Sequence, residues 1–418
     1  MADRQNSSSC LAVGSPEWQL LLAAARTQLD VYGSVELKRI LQQEIDWDVV
    51  IQHSLLHGIS GLLYLHLSLL SGDAEIPVAV MERFRSIYLR TAASGMQQLA
   101  HFRVVAETFS EAGIELITLK GAALTELLYG DPGLRPLSDI DIIIKESDWP
   151  AACEILKHMS YTSPTQRLRL LPPKLTRYDV EAHVQLVAPA GTCLEFQFDL
   201  FTLGIGMLDM DGVWRRSRDA VIAGARVRTL GPEDQLLHLL VHANRHGCSR
   251  LKWLVDITEY LRQEPEIDWD ILVSIARREK VFVFVYQTLD HIGRLLGPLQ
   301  VEAGALERLR PRGYQQLLWK AIWPRQKLDN FNGRHEDSIC YYFYKPFSGW
   351  NLINFALSGR VRDKMAYQLR WIMPSFDWMA RTYDQPKSIR LIRYYPVRLN
   401  EWLQKKELER KTGRERII

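Results

Sequence analysis

Residues 135–144 read RPLSDIDIII, and this segment says more about the fold than any other part of the chain. It ends in three isoleucines at 142–144, and such an apolar, β-branched run predicts a buried strand over 139–144. Asp139 and Asp141 are two residues apart, so in a strand their carboxylates point to the same face. Two adjacent anionic groups are unfavourable unless a cation lies between them. The pair is a candidate Mg²⁺ site, since Mg²⁺ takes one or two carboxylates together with substrate phosphates.

A second acidic segment follows in LEFQFDL, residues 194–200. Glu195, Gln197 and Asp199 alternate along a predicted strand and therefore share one of its faces. Glu195, or in second place Asp199, is a candidate third carboxylate for the same cluster. Two-metal phosphoryl transfer uses such an acid, because a second ion lies near the attacking hydroxyl, roughly 3.5–4 Å from the first.

Upstream, LKGAAL at residues 119–124 predicts a junction between a strand over 115–119 and a short helix over 121–129. The first amides of such a helix are free to bind a phosphate. Lys120 adds a point charge at the same place. The alternative for Gly121 is a simple turn between strand and helix, without a ligand.

These motifs resemble a known family. LKGAAL, YGDPGLRPLSDIDIII and CLEFQFDLF are similar to the bacterial nucleotidyltransferase family related to kanamycin nucleotidyltransferase and the minimal nucleotidyltransferases. A second block, GPEDQLLHLLVHANRHGCSRLKWLVDI at residues 231–257, extends the resemblance over most of the chain. Relatives in this branch usually read Glu-Leu-His-Trp at residues 195–198, so Gln197 departs from their pattern.

The resemblance implies a polymerase-β-like fold and a set of site residues. These are the phosphate-side glycine Gly121, the preceding Arg135 and Ser138, the metal-binding pair Asp139 and Asp141, and the third acid Glu195. Two Mg²⁺ ions and a nucleoside triphosphate, with ATP as the expected one, are implied as cofactor and co-substrate.

The implied reaction transfers a nucleoside monophosphate to a hydroxyl of a small-molecule, peptide or saccharide acceptor. Arg135 and Lys120 would steady the phosphates, since Arg in particular binds them in a bidentate way. Two alternatives stay open. One is a toxin-like enzyme that nucleotidylates tRNA, and the other is a non-catalytic nucleotide-binding or scaffold protein.

A predicted amphipathic helical run over 232–261 carries further candidates. His238, His242 and His246 fall four residues apart and share one face of a helix. A metal site, contacts to the nucleotide or acceptor (by His242 and His246), and structural packing are the alternatives. Arg250 and Lys252 follow, and they either reach the triphosphate or form a surface ion-pair cluster with Asp256.

The 418 residues suggest two or three domains. The predicted class is α+β, with a small mixed sheet between helical domains. We predict the following divisions: a disordered tail over 1–15, an N-terminal helical domain over 16–108, a nucleotidyltransferase core over 109–205, a helical domain over 206–318 and a basic aromatic region over 319–418.

Charge and cysteine content narrow the class of protein. From residue 301 onward there are 23 Lys and Arg against 12 Asp and Glu, whereas residues 1–300 carry 29 against 37. The basic end indicates either a polyanionic ligand or a solvated surface. The five cysteines are scattered, which disfavours a disulfide framework or a zinc cluster. With no apolar leader and no stretch long enough for a membrane span, we expect a cytoplasmic protein.

Overall fold

The structure is a computed structural model. It describes residues 11, 13–70, 75–162, 183–201, 209–264, 266–302 and 304–317, and, near the C-terminus, positions 373, 376, 379, 383, 388–397, 399 and 400. The predicted tail over 1–15 and the basic aromatic region over 319–418 therefore lie largely outside the described residues.

The first part of the chain folds into five helices, as the spacing of its apolar residues predicts. They are α1 (Pro16–Ala23), α2 (Val31–Leu41), α3 (Trp47–His57), α4 (Ser60–Leu70) and α5 (Val78–Glu111). The carboxylate of Asp46 caps α3 by accepting from the amides of Asp48 and Val49 at 3.1 and 3.2 Å. The long helix α5 packs against α4 and against the central sheet.

A six-stranded mixed sheet follows. Its strands are β1 (Leu116–Thr118), β2 (Ile140–Ile144), β3 (His183–Val187), β4 (Cys193–Gln197), β5 (Arg218–Ile222) and β6 (Ala225–Thr229). Their order across the sheet is β3-β4-β2-β1-β6-β5. β2 pairs in parallel with β4 and β1 with β6, while the other neighbours are antiparallel. The predicted α+β class, a small mixed sheet with flanking helices, is confirmed.

The hairpin of β5 and β6 lies in the stretch 206–318, which the sequence pattern predicts as helical. Its two-residue turn, Ala223-Gly224, has φ values of 52° and 81°, as a type I′ turn requires. Such turns are usually recognisable by Asn-Gly or Asp-Gly, and this chain has neither here. The helical prediction is therefore wrong for these two strands, which complete one edge of the sheet.

Two predicted strands are shorter than expected. β2 begins at Ile140, so Asp139 lies immediately before it. β4 ends at Gln197, and Asp199 lies in a bend beyond it, where its Oδ1 accepts the amide of Phe201 at 2.9 Å. The shared face is thus found for Glu195 and Gln197, and the prediction is wrong for Asp199.

The remaining helices surround the sheet. They are α6 (Lys120–Leu124), α7 (Trp149–His158), α8 (Met210–Arg216), α9 (Pro232–Arg245), α10 (Leu251–Gln263), α11 (Trp269–Arg278), α12 (Phe282–Leu295) and α13 (Ala305–Leu309). A π-helical turn, Thr125–Tyr129, continues α6. The predicted continuous run over 232–261 is two helices, because the chain turns at Gly247 and Cys248 with φ values of 62° and 51°. Among the described helices, none has the length and apolar character needed to cross a membrane.

The sheet separates two hydrophobic cores. The side chains of β2 point alternately into one core and the other, and this alternation determines the face of the sheet on which Asp141 lies. Ile140, Ile142 and Ile144 pack into the core that contains α7, whereas Ile143 packs into the core shared by the N-terminal helices and α9–α12. β2 is therefore buried on both faces, as predicted. Asp141 alternates with the first group, so it points to the same face as Ile143. The domain boundaries remain predictions.

Candidate active site

Three carboxylates line one pocket at the sheet face that carries Asp141. β2 and β4 run parallel with Asp141 opposite Glu195, so these two side chains are neighbours on one face. Asp139 immediately precedes β2, and the Ser138 hydroxyl donates to its Oδ1 at 2.9 Å. All three acids line one pocket. The structure thus brings Glu195 to the same pocket as Asp139 and Asp141, which lie 56 and 54 residues before it in the chain.

Burial disfavours the ionised forms of Asp141 and Glu195. The Asp141 side chain is fully buried. Its burial raises its pKa to about 6; Lys120 opposes the rise, and Asp139 and Glu195 add to it. Burial also raises the pKa of Glu195. Asp141 Oδ2 is buried without a hydrogen-bond partner. A buried carboxylate oxygen without a donor is costly, and a bound cation would compensate it.

Lys120 supplies a positive charge to this cluster. Its Nζ lies 3.2 Å from Asp141 Oδ1 and 3.5 Å from His242 Nδ1. Burial alone would lower the pKa of Lys120, but the carboxylates of Asp141, Asp139 and Glu195 outweigh it and the pKa lies above its ordinary value. The protonated amine therefore connects the acids on the sheet to His242 on α9, the helix on the opposite side of the pocket.

Gln197 bridges two of the acids. Its Nε2 donates to Asp141 Oδ1 at 2.7 Å and to Glu195 Oε1 at 3.3 Å. This is the position at which the motif departs from the usual histidine. The amide keeps a hydrogen-bond donor between the two carboxylates, so the departure leaves them a shared neutral partner on β4.

The chemistry of these side chains fits a hard divalent cation. Carboxylate oxygens are the ligands that Mg²⁺ prefers, and the orphaned Asp141 Oδ2 is one such ligand. As the described side chains stand, no three of His, Cys, Asp and Glu gather closely enough to hold a metal ion, and Asp141 Oδ1 is engaged by Lys120 and Gln197. The Mg²⁺ role of Asp139, Asp141 and Glu195 therefore stays a prediction from the sequence.

Gly121, in the first turn of α6, lets this helix approach the loop that leads to Asp139. A Cβ at this position would lie 2.8 Å from Leu137 Cδ1 and 3.2 Å from the carbonyl oxygen of Asp139. Any larger residue would displace that loop, since cores are close-packed. The structure thus gives Gly121 a packing role at the site, and its contact with a phosphate stays a prediction.

Arg135 lines the pocket, but its guanidinium is bound to Asp256 on α10. Its Nε and Nη2 each donate to that carboxylate at 2.8 Å, and the Tyr129 hydroxyl donates to it at 2.8 Å. Burial alone would lower the pKa of Arg135, but Asp256 raises it above its ordinary value. The third nitrogen, Nη1, reaches the Gly121 carbonyl at 3.5 Å. Arg135 therefore ties α10 to the first turn of α6.

The loop that leads to Asp139 also packs against the N-terminal helices. Gln98 on α5 donates its side-chain amide to the carbonyl of Leu137 at 2.5 Å. A Cβ added to Gly61 on α4 would lie 2.1 Å from the carbonyl oxygen of Gly133, so the helix and the loop are in backbone contact. These two helices therefore help to fix the position of Asp139.

The helices α9 and α10 form the opposite wall of the pocket. Burial lowers the pKa of Lys252 to about 8, with Arg135 and Arg250 acting in the same direction. Burial also lowers the pKa of His238 to about 3 and that of His242 well below its ordinary value. Near neutral pH these two imidazoles are uncharged, whereas the surrounding Lys and Arg side chains supply positive charge.

With the exception of Asp199, the residues predicted for the site line this pocket: Lys120, Gly121, Arg135, Ser138, Asp139, Asp141, Glu195, His242, His246 and Lys252. The structure adds Arg245 and Trp253, which sequence reasoning missed. Arg245 follows His242 by three residues on α9, and side chains at that spacing are neighbours on a helix. That spacing was the signal available for Arg245, whereas Trp253 reaches the pocket only because α10 folds back beside α9.

Adjacent carboxylates on a mixed sheet, facing a basic pocket, have the character of a nucleotide-handling enzyme. A family model described as "Uncharacterised nucleotidyltransferase" matches residues 43–297. This is more than half of the chain, and the protein therefore belongs to this nucleotidyltransferase family. It is accordingly a transferase enzyme, and the family predicted from the motifs is confirmed.

Two further comparisons add little. The chain is similar to the crystal structure of an antigenic nucleotidyltransferase-like protein from Paracoccidioides brasiliensis, at 18% sequence identity and a TM-score of 0.30, over 50% of this chain and 95% of that one. A likeness at this TM-score adds no weight to the family assignment. Comparison with curated proteins gives no match.

Proposed function

We propose that the pocket binds Mg²⁺ and a nucleoside triphosphate and transfers the nucleoside monophosphate to an acceptor hydroxyl. ATP is the expected nucleotide. The acceptor is a small molecule, a peptide or a saccharide. One observation carries the proposal: Asp141 is a fully buried carboxylate with an orphaned oxygen, it neighbours Glu195 and Asp139, and the pocket beside it is lined with Lys and Arg side chains.

The charges of the pocket suit this ligand. Carboxylates alone would repel a triphosphate, and basic groups alone would leave the buried acids uncompensated. When bound by Asp139, Asp141 and Glu195, Mg²⁺ would supply positive charge against the phosphates. Lys252 and Lys120 would bind phosphate oxygens as point charges.

The residues divide the chemical work as follows. The acceptor oxygen forms a bond to the α-phosphorus, the bond from that phosphorus to the bridging oxygen breaks, and pyrophosphate leaves with the electron pair. Glu195, which lies opposite Asp141 on β4, either helps to hold the second ion or accepts the hydroxyl proton. Lys120 and Lys252 hold the leaving pyrophosphate. Most of the rate enhancement would come from positioning and charge compensation.

The two alternative functions, nucleotide transfer to tRNA and a non-catalytic binding or scaffold role, have no specific support among the described residues. Transfer to tRNA rests on the basic region over 319–418, which lies largely outside them, so it stays a prediction. A non-catalytic role would leave the buried acids without a purpose that offsets the cost of burying them.

Nucleotide transfer tests the proposal directly. The full-length protein is incubated with Mg²⁺, a cell extract and each of the four nucleoside triphosphates labelled at the α-phosphate. Label is expected to enter an acceptor with the wild type and to be lost in the double variant Asp139→Asn/Asp141→Asn. Asp219→Asn, which removes an exposed carboxylate on β5, is the matched control and should transfer label normally.

The outcome also defines the acceptor. Labelled material that withstands ribonuclease and is small on gel filtration indicates a small-molecule or saccharide acceptor, and protease-sensitive label indicates a peptide. Equal labelling by the wild type and the double variant would show that these acids do not catalyse the transfer, and the proposal would fail.

A further inference from the structure

An aromatic patch lines the pocket where α9 and α10 meet. The ring of Trp253 lies 4.7 Å from that of His246 and 5.5 Å from that of His242, measured between centroids. The two histidine rings are 4.5 Å apart. We call these three side chains the aromatic wall. The guanidinium of Arg250 lies 5.6 Å from the centre of the Trp253 ring.

From this geometry we propose that the aromatic wall stacks the planar base of the bound nucleotide, with Trp253 as the residue that determines affinity for the base. The inference rests on the proposed function and extends it, because it assigns one side of the pocket to the base and the other to the phosphates. The alternative is that the three rings only pack against one another.

The burial pattern of α10 favours a ligand. Leu251, Leu254 and Val255 are completely buried in the core, whereas Trp253 keeps part of its surface in the pocket. A large aromatic side chain on a helix normally turns toward the core, where its burial stabilises the fold. Trp253 packs partly against this core and also lines a pocket beside basic residues, where an amphipathic aromatic ring can stack on a planar ligand.

A strained turn brings the wall together. The chain reverses between α9 and α10 through Gly247 and Cys248, both with positive φ. The turn is fixed by hydrogen bonds from the Gly247 amide to the Asn244 carbonyl at 2.8 Å and from the Cys248 amide to the Ala243 carbonyl at 2.7 Å. A non-glycine residue at positive φ costs energy. The turn places the first part of α10 directly beside the last turn of α9.

The wall adjoins the phosphate end of the pocket through His242. The His242 imidazole is neutral near pH 7, because burial and Lys120 lower its pKa. Neutral rings favour stacking with a base over binding a phosphate. Lys120 contacts both Asp141 and His242, so a single side chain separates the carboxylates from the wall.

The test compares two ligands that share the phosphates and differ in the base. Binding of ATP and of inorganic tripolyphosphate, each with Mg²⁺, is measured by calorimetry on the full-length protein. Stacking on an aromatic side chain contributes enough to change affinity by about tenfold or more. We expect Trp253→Ala to weaken ATP binding by about that factor and to leave tripolyphosphate binding unchanged. Trp253→Phe, which keeps a π face, should recover most of the loss.

A second tryptophan supplies the control. Trp214 on α8 is also partly buried and also carries a cation, Lys145 Nζ at 5.0 Å from its ring centre, but it lies outside the pocket lining. Trp214→Ala should leave both affinities unchanged, and circular dichroism checks that each variant is folded.

Three results would overturn the inference, and they differ from one another. If Trp253→Ala binds ATP as tightly as the wild type, the base does not use the wall. If ATP and tripolyphosphate lose affinity equally, Trp253 only supports the fold of the pocket. If the wild-type protein binds neither ligand, the proposed function itself fails, and the base-stacking role fails with it.

Discussion

Replacing Asp141 with Asn removes a buried carboxylate at almost constant size and tests the electrostatics of the site. Burial raises the pKa of this side chain from its ordinary 3.8 to about 6. A carboxyl whose pKa is higher in the folded than in the unfolded state binds protons more tightly when folded. The folded protein therefore loses stability as the pH rises between those two values. Since a tenfold difference in proton affinity corresponds to about 1.4 kcal/mol, the loss is about 3 kcal/mol.

Asp141→Asn should abolish this loss. We expect the free energy of unfolding of the variant, relative to the wild type, to increase by about 3 kcal/mol between about pH 4 and about pH 7. Unfolding in urea, followed by tryptophan fluorescence in a chelator-containing buffer at several pH values, measures this difference. The same variant should lose nucleotide transfer, which would show that the acid is kept for activity at a cost in stability.

Asp219→Asn is the matched control, because it also removes one carboxylate but from an exposed position on β5. If the stabilities of Asp141→Asn and the wild type change in parallel across this pH range, Asp141 is not difficult to ionise. The account of the site as a cluster that needs a cation would then be wrong.

Three further predictions concern the residues around the acids. Arg135→Met leaves Asp256 buried without its partner, and we expect a loss of about 3–5 kcal/mol in thermal or urea unfolding. Gly61→Ala places a Cβ against the backbone of the acid-bearing loop, so it should destabilise the protein by about 1–3 kcal/mol. Because the pKa of Lys252 is lowered to about 8, tripolyphosphate binding should weaken as the pH rises through that value, and Lys252→Met should remove this dependence.

Each of these has a clear contrary result. Wild-type stability in Arg135→Met would mean that the buried ion pair does not hold α10 to the loop. Gly293→Ala is the control for Gly61→Ala, since Gly293 also lies in a helix but an added Cβ there would meet nothing within 4 Å. Equal effects of the two substitutions on stability would refute the close-contact explanation. Identical pH profiles for Lys252→Met and the wild type would exclude Lys252 from phosphate binding.

Much of the site follows from local rules that a sequence carries. Alternation along a strand is a property of the backbone, so Asp139-Ile-Asp141 and Glu195-Phe-Gln197 each predict which side chains share a face. The run of isoleucines after the acids predicts a strand buried on both faces, as observed for β2. The family could also be predicted from the sequence, because the family's motifs are short and continuous.

Local rules failed where a turn lacked its usual residues or where an element ended early. Ala223-Gly224 forms the turn between β5 and β6 without an Asn or Asp, so the hairpin was indistinguishable from helix in the pattern. Asp199 has the right spacing for the acidic face, but β4 ends at Gln197. Alternation continues only as long as strand pairing does, and pairing is decided by the neighbouring strand.

Asp139 and Asp141 show most clearly which features the sequence predicts and which depend on the tertiary structure. Strand patterns predict that Asp139 and Asp141 lie at the start of a buried strand and that a third acid, Glu195, lies on another. The three-dimensional structure was needed to show that Asp141 lies opposite Glu195, that Lys120 and Gln197 bind its Oδ1, and that its Oδ2 is left without a donor. Burial and strand pairing depend on groups far apart in the chain. Arg135 and Asp256, for example, are 121 residues apart, and no local pattern encodes contacts at that separation.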